Sequence, residues 1–281
     1  SALDGARLRL WAQACDADVV VSVQPHFNAF VPMALRRANN RAKYAHIITD
    51  LLHPHAFHIS PLASLTIAPN DETREELQKA GIPAQKIAVC GQPIPPNFAQ
   101  RASQRAATRA KLGLTNSQPV VLVMGGGEGA GRTGEVARAL AAGGLPIQLV
   151  AVCGRNEGLR RELGSQNVRA LGFSDDIPEL MGAADVLVTK AGPGTICEGF
   201  AAGLPIVLFE ALPGQEEGNV DFVVGNGAGA WCPSTQQVMA QLAAWLADES
   251  EMGRVAKASA RLARPDAAFE IAEHLVSVLT R

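Results

Sequence analysis

Short apolar runs alternate with amphipathic stretches along this chain. Residues 19–23 (VVVSV), 44–49, 65–68 and 86–90 read as strands. Apolar spacing predicts a helix over 30–37. A second helix, running to Lys79, is capped by Asn70 or Asp71, with Glu72 and Glu75 in its first turns. Residues 91–97 (GQPIPPN) can neither continue a helix nor pair inside a sheet, so they mark a domain boundary. The alternation then resumes, with strands at 120–124, 147–152, 168–171, 186–188 and 206–209 separated by helical patterns, the first of them over 133–142. From Gln236 the chain is Ala-rich and helical, and Pro265 interrupts it before a last amphipathic helix over 267–279. Apolar strands separated by helices imply parallel sheets covered on both faces, hence two α/β domains. The first looks short, with three or four strands; the second reads as complete.

Composition narrows the function classes. Net charge is −2 and aromatics are 5%, so neither the basic excess nor the stacking surface of a nucleic-acid binder is present. The five cysteines, Cys15, Cys90, Cys153, Cys197 and Cys232, are odd in number and far apart, which disfavours a disulfide framework and fits a reducing, cytoplasmic setting. No apolar run is long enough for a transmembrane helix, and no signal peptide is visible in a chain that opens Ser1-Ala2. His46, His53, His55 and His58 do not have the spacing of a closed zinc set and are expected on a surface loop.

Candidate chemistry concentrates in three Gly-rich turns after strands: residues 124–131 (MGGGEGAG), 153–156 (CGRN) and 190–195 (KAGPGT). Doubly wound sheets bind ligands beyond the carboxyl ends of their strands, where helix N-termini present free N–H groups. Pro193 suits a first helical position. A tight strand-to-helix turn accounts for each motif equally well. The first turn lacks dinucleotide spacing, and no Walker A lysine follows these glycines. Glu198, read as lying on the first turn of the helix that follows the third motif, is placed either to accept two ribose hydroxyls or simply to face the helix dipole. The polar run 213–219 (PGQEEGN) suits a polyhydroxylated ligand or a solvated loop.

Together, residues 190–198 (KAGPGTICE), Gly203-Leu204-Pro205, 213–219 and Asn226-Gly227-Ala228-Gly229 resemble monogalactosyldiacylglycerol synthases, which share a glycosyltransferase family with the peptidoglycan N-acetylglucosaminyltransferase. Residues 124–129, 153–156, 171–173 and 264–269 fit the same pattern in order. The resemblance implies the GT-B fold, with two Rossmann-like domains facing a cleft, the N-terminal one incomplete. It implies a partial acceptor and membrane-side domain at 1–97, a UDP-sugar domain at 98–265, and a C-terminal helix at 266–281 packing back on the first.

What the resemblance implies for individual residues is as follows. Phe173 and Ser174 contact uracil, and Glu198 holds the ribose. Gly126, Gly127, Arg155, Gly192, Gly194 and Thr195 belong to the donor site, with Gly127, Gly194 and Thr195 against the diphosphate. Gln215 and Glu216 touch the sugar, and Asn219 supports their loop. Asp50 and His53, within residues 49–58 (TDLLHPHAFH), are the catalytic candidates. The family's Gly-rich N-terminal loop has no counterpart here. The linker position that normally carries Arg holds Pro95, and Gln24-Pro25 stands where plant members have His-Pro.

The activity implied is transfer of galactose or glucose from a UDP-sugar to diacylglycerol or another lipid acceptor, with inversion and with no metal or further cofactor. The setting implied is a cytoplasmic enzyme peripheral to the inner membrane face, with Arg36, Arg37, Arg41 and Lys43 toward anionic lipid and homo-oligomerisation left open. Lacking the family's base-bearing loop, this chain alone is expected to bind UDP without transferring sugar. The rival readings are a UDP-N-acetylglucosamine 2-epimerase and a UDP-binding module without activity.

Overall fold

The computed structural model describes residues 5–99, 104–126, 131–166 and 168–279. It divides into two compact units, Ser1–Pro93 with Asp266–Arg281, and Ile94–Pro265.

The smaller unit contains α1 (Gly5–Ala14), β1 (Val19–Ser22), α2 (Phe30–Arg37), β2 (Lys43–Ile47), β3 (Leu65–Ala68), α3 (Asp71–Lys79) and β4 (Ile87–Val89), with α12 (Ala267–Leu279) from the end of the chain. All four strands are parallel and lie in chain order, β1-β2-β3-β4. Among the described residues three apolar clusters surround them, one of them joining Ile48 and Ala68 to Leu77 of α3. Ile271 and Val278 of α12 pack with Ala45, Ile47, Leu65 and Ile67, and Ala12, Val31 and Leu35 of α1 and α2 pack with Tyr44. Asn70 caps α3, its side chain accepting from the Thr73 N–H at 2.8 Å.

The larger unit runs α4 (Arg105–Lys111), β5 (Val120–Met124), α5 (Thr133–Ala142), β6 (Gln148–Val152), α6 (Glu157–Gly164), β7 (Arg169–Leu171), α7 (Ile177–Ala183), β8 (Val186–Lys190), α8 (Pro193–Ala201), β9 (Ile206–Glu210), α9 (Glu217–Gly225), β10 (Gly229–Trp231), α10 (Thr235–Ala247) and α11 (Glu249–Arg261). Its parallel strands have the order β10-β9-β8-β5-β6-β7. Counted within the unit this is the 3-2-1-4-5-6 winding of the Rossmann fold, which reverses between β5 and β8. The core joins Val121, Val123, Val188, Val207 and Phe209 from the strands to Val136, Leu140, Leu163, Leu242 and Trp245 from the helices.

The apolar runs found in sequence become strands of the two sheets, with ends moved by one or two residues. The pattern passed over α1, α4 and β10. Strand β10 has three residues and pairs closely because Gly229 has no side chain: a Cβ there would sit 2.2 Å from the Ile206 carbonyl oxygen. Helix α4 carries no apolar stripe of its own and is held by charge. Arg105 and Arg109 both pair with Asp185, and Arg109 Nε also donates to the Ala183 carbonyl at 2.9 Å.

Candidate functional site

At the switch between β5 and β8, two turns leave the sheet in opposite directions. Gly125 and Gly126 follow β5. A Cβ on Gly125 would lie 1.8 Å from Thr133 Oγ1, so the bare backbone lets the start of α5 close over the strand. Gly126 has φ +98°, which glycine adopts without strain. Gly127 falls outside the described residues. On the other side, β8 ends at Lys190, and Gly192 is the N-cap of α8 with Pro193 as its first residue. Gly194 and Thr195 therefore present N–H groups in the first turn, the arrangement that favours an anion.

Glu198 lies in the second turn of α8, one turn deeper than its sequence position suggested. It is half-buried, and burial pushes its carboxyl up to about 7. Behind the turn, Asn219 on α9 is fully buried and donates to the Ala191 carbonyl at 3.0 Å, bracing the β8–α8 connection. Glu216 is buried, with Oε2 accepting from the Leu212 N–H at 2.9 Å and Oε1 3.9 Å from Lys190 Nζ; Gln215 beside it is exposed. At the ends of β6 and β7, Arg155 stacks over the Phe173 ring at 5.3 Å, and that ring is 58% exposed. An exposed aromatic face held by a cation suits a planar base. Ser174 Oγ accepts from the Asp176 N–H at 3.1 Å and shapes the loop into α7.

The smaller unit treats its polar residues differently. His46 and His58, expected on a surface loop, are almost wholly buried, His46 because it is on the inner strand β2. The chain of bonds runs from the Ser22 carbonyl to His46 Nδ1 (2.9 Å), from His46 Nε2 to His58 Nδ1 (2.9 Å), and from His58 Nε2 to Asp50 Oδ2 (3.1 Å). The carbonyl can only accept, so His46 carries its proton on Nδ1 and accepts from His58 through Nε2. Burial, with His58 nearby, lowers His46 to about 4 and keeps it neutral. The structure does not pair Asp50 with His53. His53 is exposed, has φ +52°, and bonds Glu76 at 2.8 Å instead. His46 and His58 are absent from the sequence-derived site because nothing local reveals that a strand and a loop twelve residues on will bring their rings into hydrogen-bond contact. No cluster of His, Cys, Asp and Glu among the described residues is placed to hold a metal.

Comparisons with known proteins bear on the family and the fold. Residues 120–271 match the model of the glycosyltransferase family 28 C-terminal domain, and residues 5–94 match that of monogalactosyldiacylglycerol (MGDG) synthase. Over 271 residues the chain is 37% identical to monogalactosyldiacylglycerol synthase 1, chloroplastic, of Arabidopsis thaliana, covering 90% of this chain and 50% of that protein. MurG of Acinetobacter baumannii superposes with a TM-score of 0.72 at 16% identity, over 97% of this chain and 77% of MurG. Anabaena HepE in complex with UDP superposes at 0.63 and 22% identity, over 97% of this chain and 82% of HepE. The fold is of the GT-B class, and the chain belongs to glycosyltransferase family 28. By sequence it is similar to MGDG synthases, and it spans about half the length of the curated relatives it matches.

Proposed function

We propose that the larger unit binds a UDP-sugar and that the protein transfers its hexose, galactose or glucose, to a diacylglycerol-type lipid. The observation that carries this is the winding reversal between β5 and β8, with the Gly125-Gly126 turn, the start of α8 and Glu198 gathered at its carboxyl end. In this reading Phe173 stacks on uracil, with Ser174 and Arg155 beside it. Glu198 accepts ribose hydroxyls. The N–H groups of Gly194 and Thr195, with the backbone of Gly126, stabilise the diphosphate as it leaves, charge stabilisation that needs no reorganisation during the reaction. Gln215 and Glu216 face the sugar. Sequence kinship with MGDG synthases supports the lipid acceptor and an inverting displacement.

Asp50 is the candidate base of the smaller unit. Its second oxygen would take the acceptor hydroxyl proton while His58 holds the first; His53, occupied by Glu76, would serve only if that pair opened. We place the enzyme at a membrane surface as a peripheral protein. No described helix is long and apolar enough to cross a bilayer. Arg36, Arg37, Arg41 and Lys43 are exposed, as are Phe27, Phe30 and Phe57, a combination suited to an anionic interface.

The test has two stages. Calorimetry with UDP is expected to show binding, weakened in Glu198→Ala by about 10- to 100-fold, the range for losing a hydrogen bond to a charged group. Labelled UDP-galactose or UDP-glucose is then offered with and without diacylglycerol. Labelled lipid supports the transferase. UDP binding without product, the outcome expected of this chain alone where the family's base-bearing loop has no counterpart, leaves a binding module, and epimerised sugar supports the rival enzyme class. No UDP binding would sink the reading altogether.

A further inference from the structure

We propose that Lys190 contacts the diphosphate of the donor and that Glu216 holds its ammonium ready at that place, the two exchanging partners when a nucleoside diphosphate sugar binds. The inference rests on the reading of the larger unit as a UDP-sugar site and adds a residue and a sequence of contacts to it.

Four observations converge on Lys190. It ends β8, at the winding reversal, where ligands of this fold sit. The β8–β9 register slips there: Thr189 pairs with Leu208 but Lys190 with Glu210. Such an irregularity re-aims the side chain that follows it. The buried run 186–189 thus gives way to a half-exposed lysine. Its stem then lies along both turns. Cε is 3.6 Å from where a Cβ of Gly126 would be and 3.8 Å from the same point on Gly192. Gly192 does not need glycine for its backbone, since φ is −69°. What its missing side chain provides is open backbone beside a cation.

The fourth observation is the partner. Glu216 is anchored through Oε2 on the Leu212 N–H, which leaves Oε1 turned to Lys190. At 3.9 Å this is attraction without a hydrogen bond, so the ammonium keeps its donors for another acceptor. A diphosphate between the Gly126 turn and the start of α8 would supply such acceptors at higher charge. As Lys190 moves to it, Glu216 Oε1 loses a cation and gains the capacity to accept a sugar hydroxyl. Sugar recognition would therefore follow diphosphate recognition, through two side chains that already touch.

The test is calorimetry on the full chain with uridine, UDP and UDP-galactose. Lys190→Met is expected to weaken UDP about 10- to 100-fold, as for loss of a charge-assisted hydrogen bond, and to leave uridine within about twofold. Lys190→Arg should recover most of the loss. Glu216→Gln should leave UDP within about threefold yet remove the affinity that UDP-galactose gains over UDP. Uridine binding doubles as the control for folding. The proposal is overturned if Lys190→Met leaves UDP unchanged or weakens uridine equally. It is also overturned if Glu216→Gln weakens UDP as much as Lys190→Met, which would make Glu216 a mere prop. If the unaltered chain binds no UDP, the nucleotide reading fails with it; UDP binding that ignores Lys190→Met strikes this inference alone.

Discussion

The two sheets of this protein are built from the same parallel strands and differ in how they are wound. The four strands of the smaller unit follow one another in chain order, so the connections among them never reverse. The six strands of the larger unit reverse between β5 and β8, the kind of switch point at which such sheets bind ligands. The polar residues follow suit. In the smaller unit Asp50, His58 and His46 bond one another, and Tyr44 donates to Asn28 at 2.6 Å while Ser60 donates to the Asn28 carbonyl at 2.8 Å. In the larger unit Phe173, Arg155 and Gln215 are exposed, and Lys190 keeps a loose partner. Polar side chains near strand ends are thus mostly tied to one another in the smaller unit, the proposed base Asp50 included, and displayed in the larger.

The largest expected effect tests whether the larger unit depends on its own internal tie. Asp185 joins Arg105, the buried Arg109 and the Val120 N–H, the last at 2.7 Å. Asp185→Ala would leave Arg109 buried without its carboxylate, a loss of about 3–5 kcal/mol. Urea unfolding should show the transition of the larger unit shifting while the smaller one stays; equal shifts would mean the two do not unfold separately.

Next in size is a pH effect specific to the smaller unit. His46 stays neutral when folded down to about pH 4, whereas an unfolded histidine takes a proton near 6.5. The unfolded chain then binds more protons, so stability is complete above about 6.5 and falls as pH drops toward 4. The loss is on the order of 2–3 kcal/mol, a tenfold change in proton affinity being about 1.4 kcal/mol. Denaturation followed from pH 7.5 to 4 checks it, and His46→Phe should flatten the dependence.

Glu198 has the opposite sign. Its folded carboxyl holds a proton up to about pH 7, above the ordinary 4.5, so its contribution to stability is present at low pH and lost as pH rises from 4.5 through 7. The ionised form, with two charged oxygens, is the stronger acceptor for ribose hydroxyls. Uridine, which has no phosphate to titrate, should bind about tenfold more tightly at pH 8 than at pH 6, following the ionised fraction. Calorimetry at the two values decides it, and Glu198→Gln should remove the difference.

The smallest effect concerns the exposed ring. Phe173→Ala should cost uridine about 1 kcal/mol, the low end for base–aromatic stacking, and leave the urea midpoint in place because the ring is already in solvent. A shifted midpoint with unchanged uridine affinity would move Phe173 from the displayed group to the internal one.

Much of this was readable along the chain, for a local reason. Apolar runs such as 120–124 must be buried, and Gly-Pro-Gly at 192–194 admits few conformations, so the strands of the larger unit and the start of α8 followed from neighbours in sequence. The signature from Lys190 to Glu198 likewise lies on one turn and one helix, and it marked the family before any fold was drawn. What sequence could not decide was which distant groups would meet. His53 and His58 are five residues apart and chemically identical; one bonds a glutamate on α3 and the other seals Asp50 from within. Lys190 reads as the end of a strand until the register slip aims it across Gly126 and Gly192 toward Glu216. Sequence determines hydrophobic period and turn chemistry because these act over a few residues. Winding order, register and burial belong to the packed sheet, and they settle which polar residues remain open to a ligand.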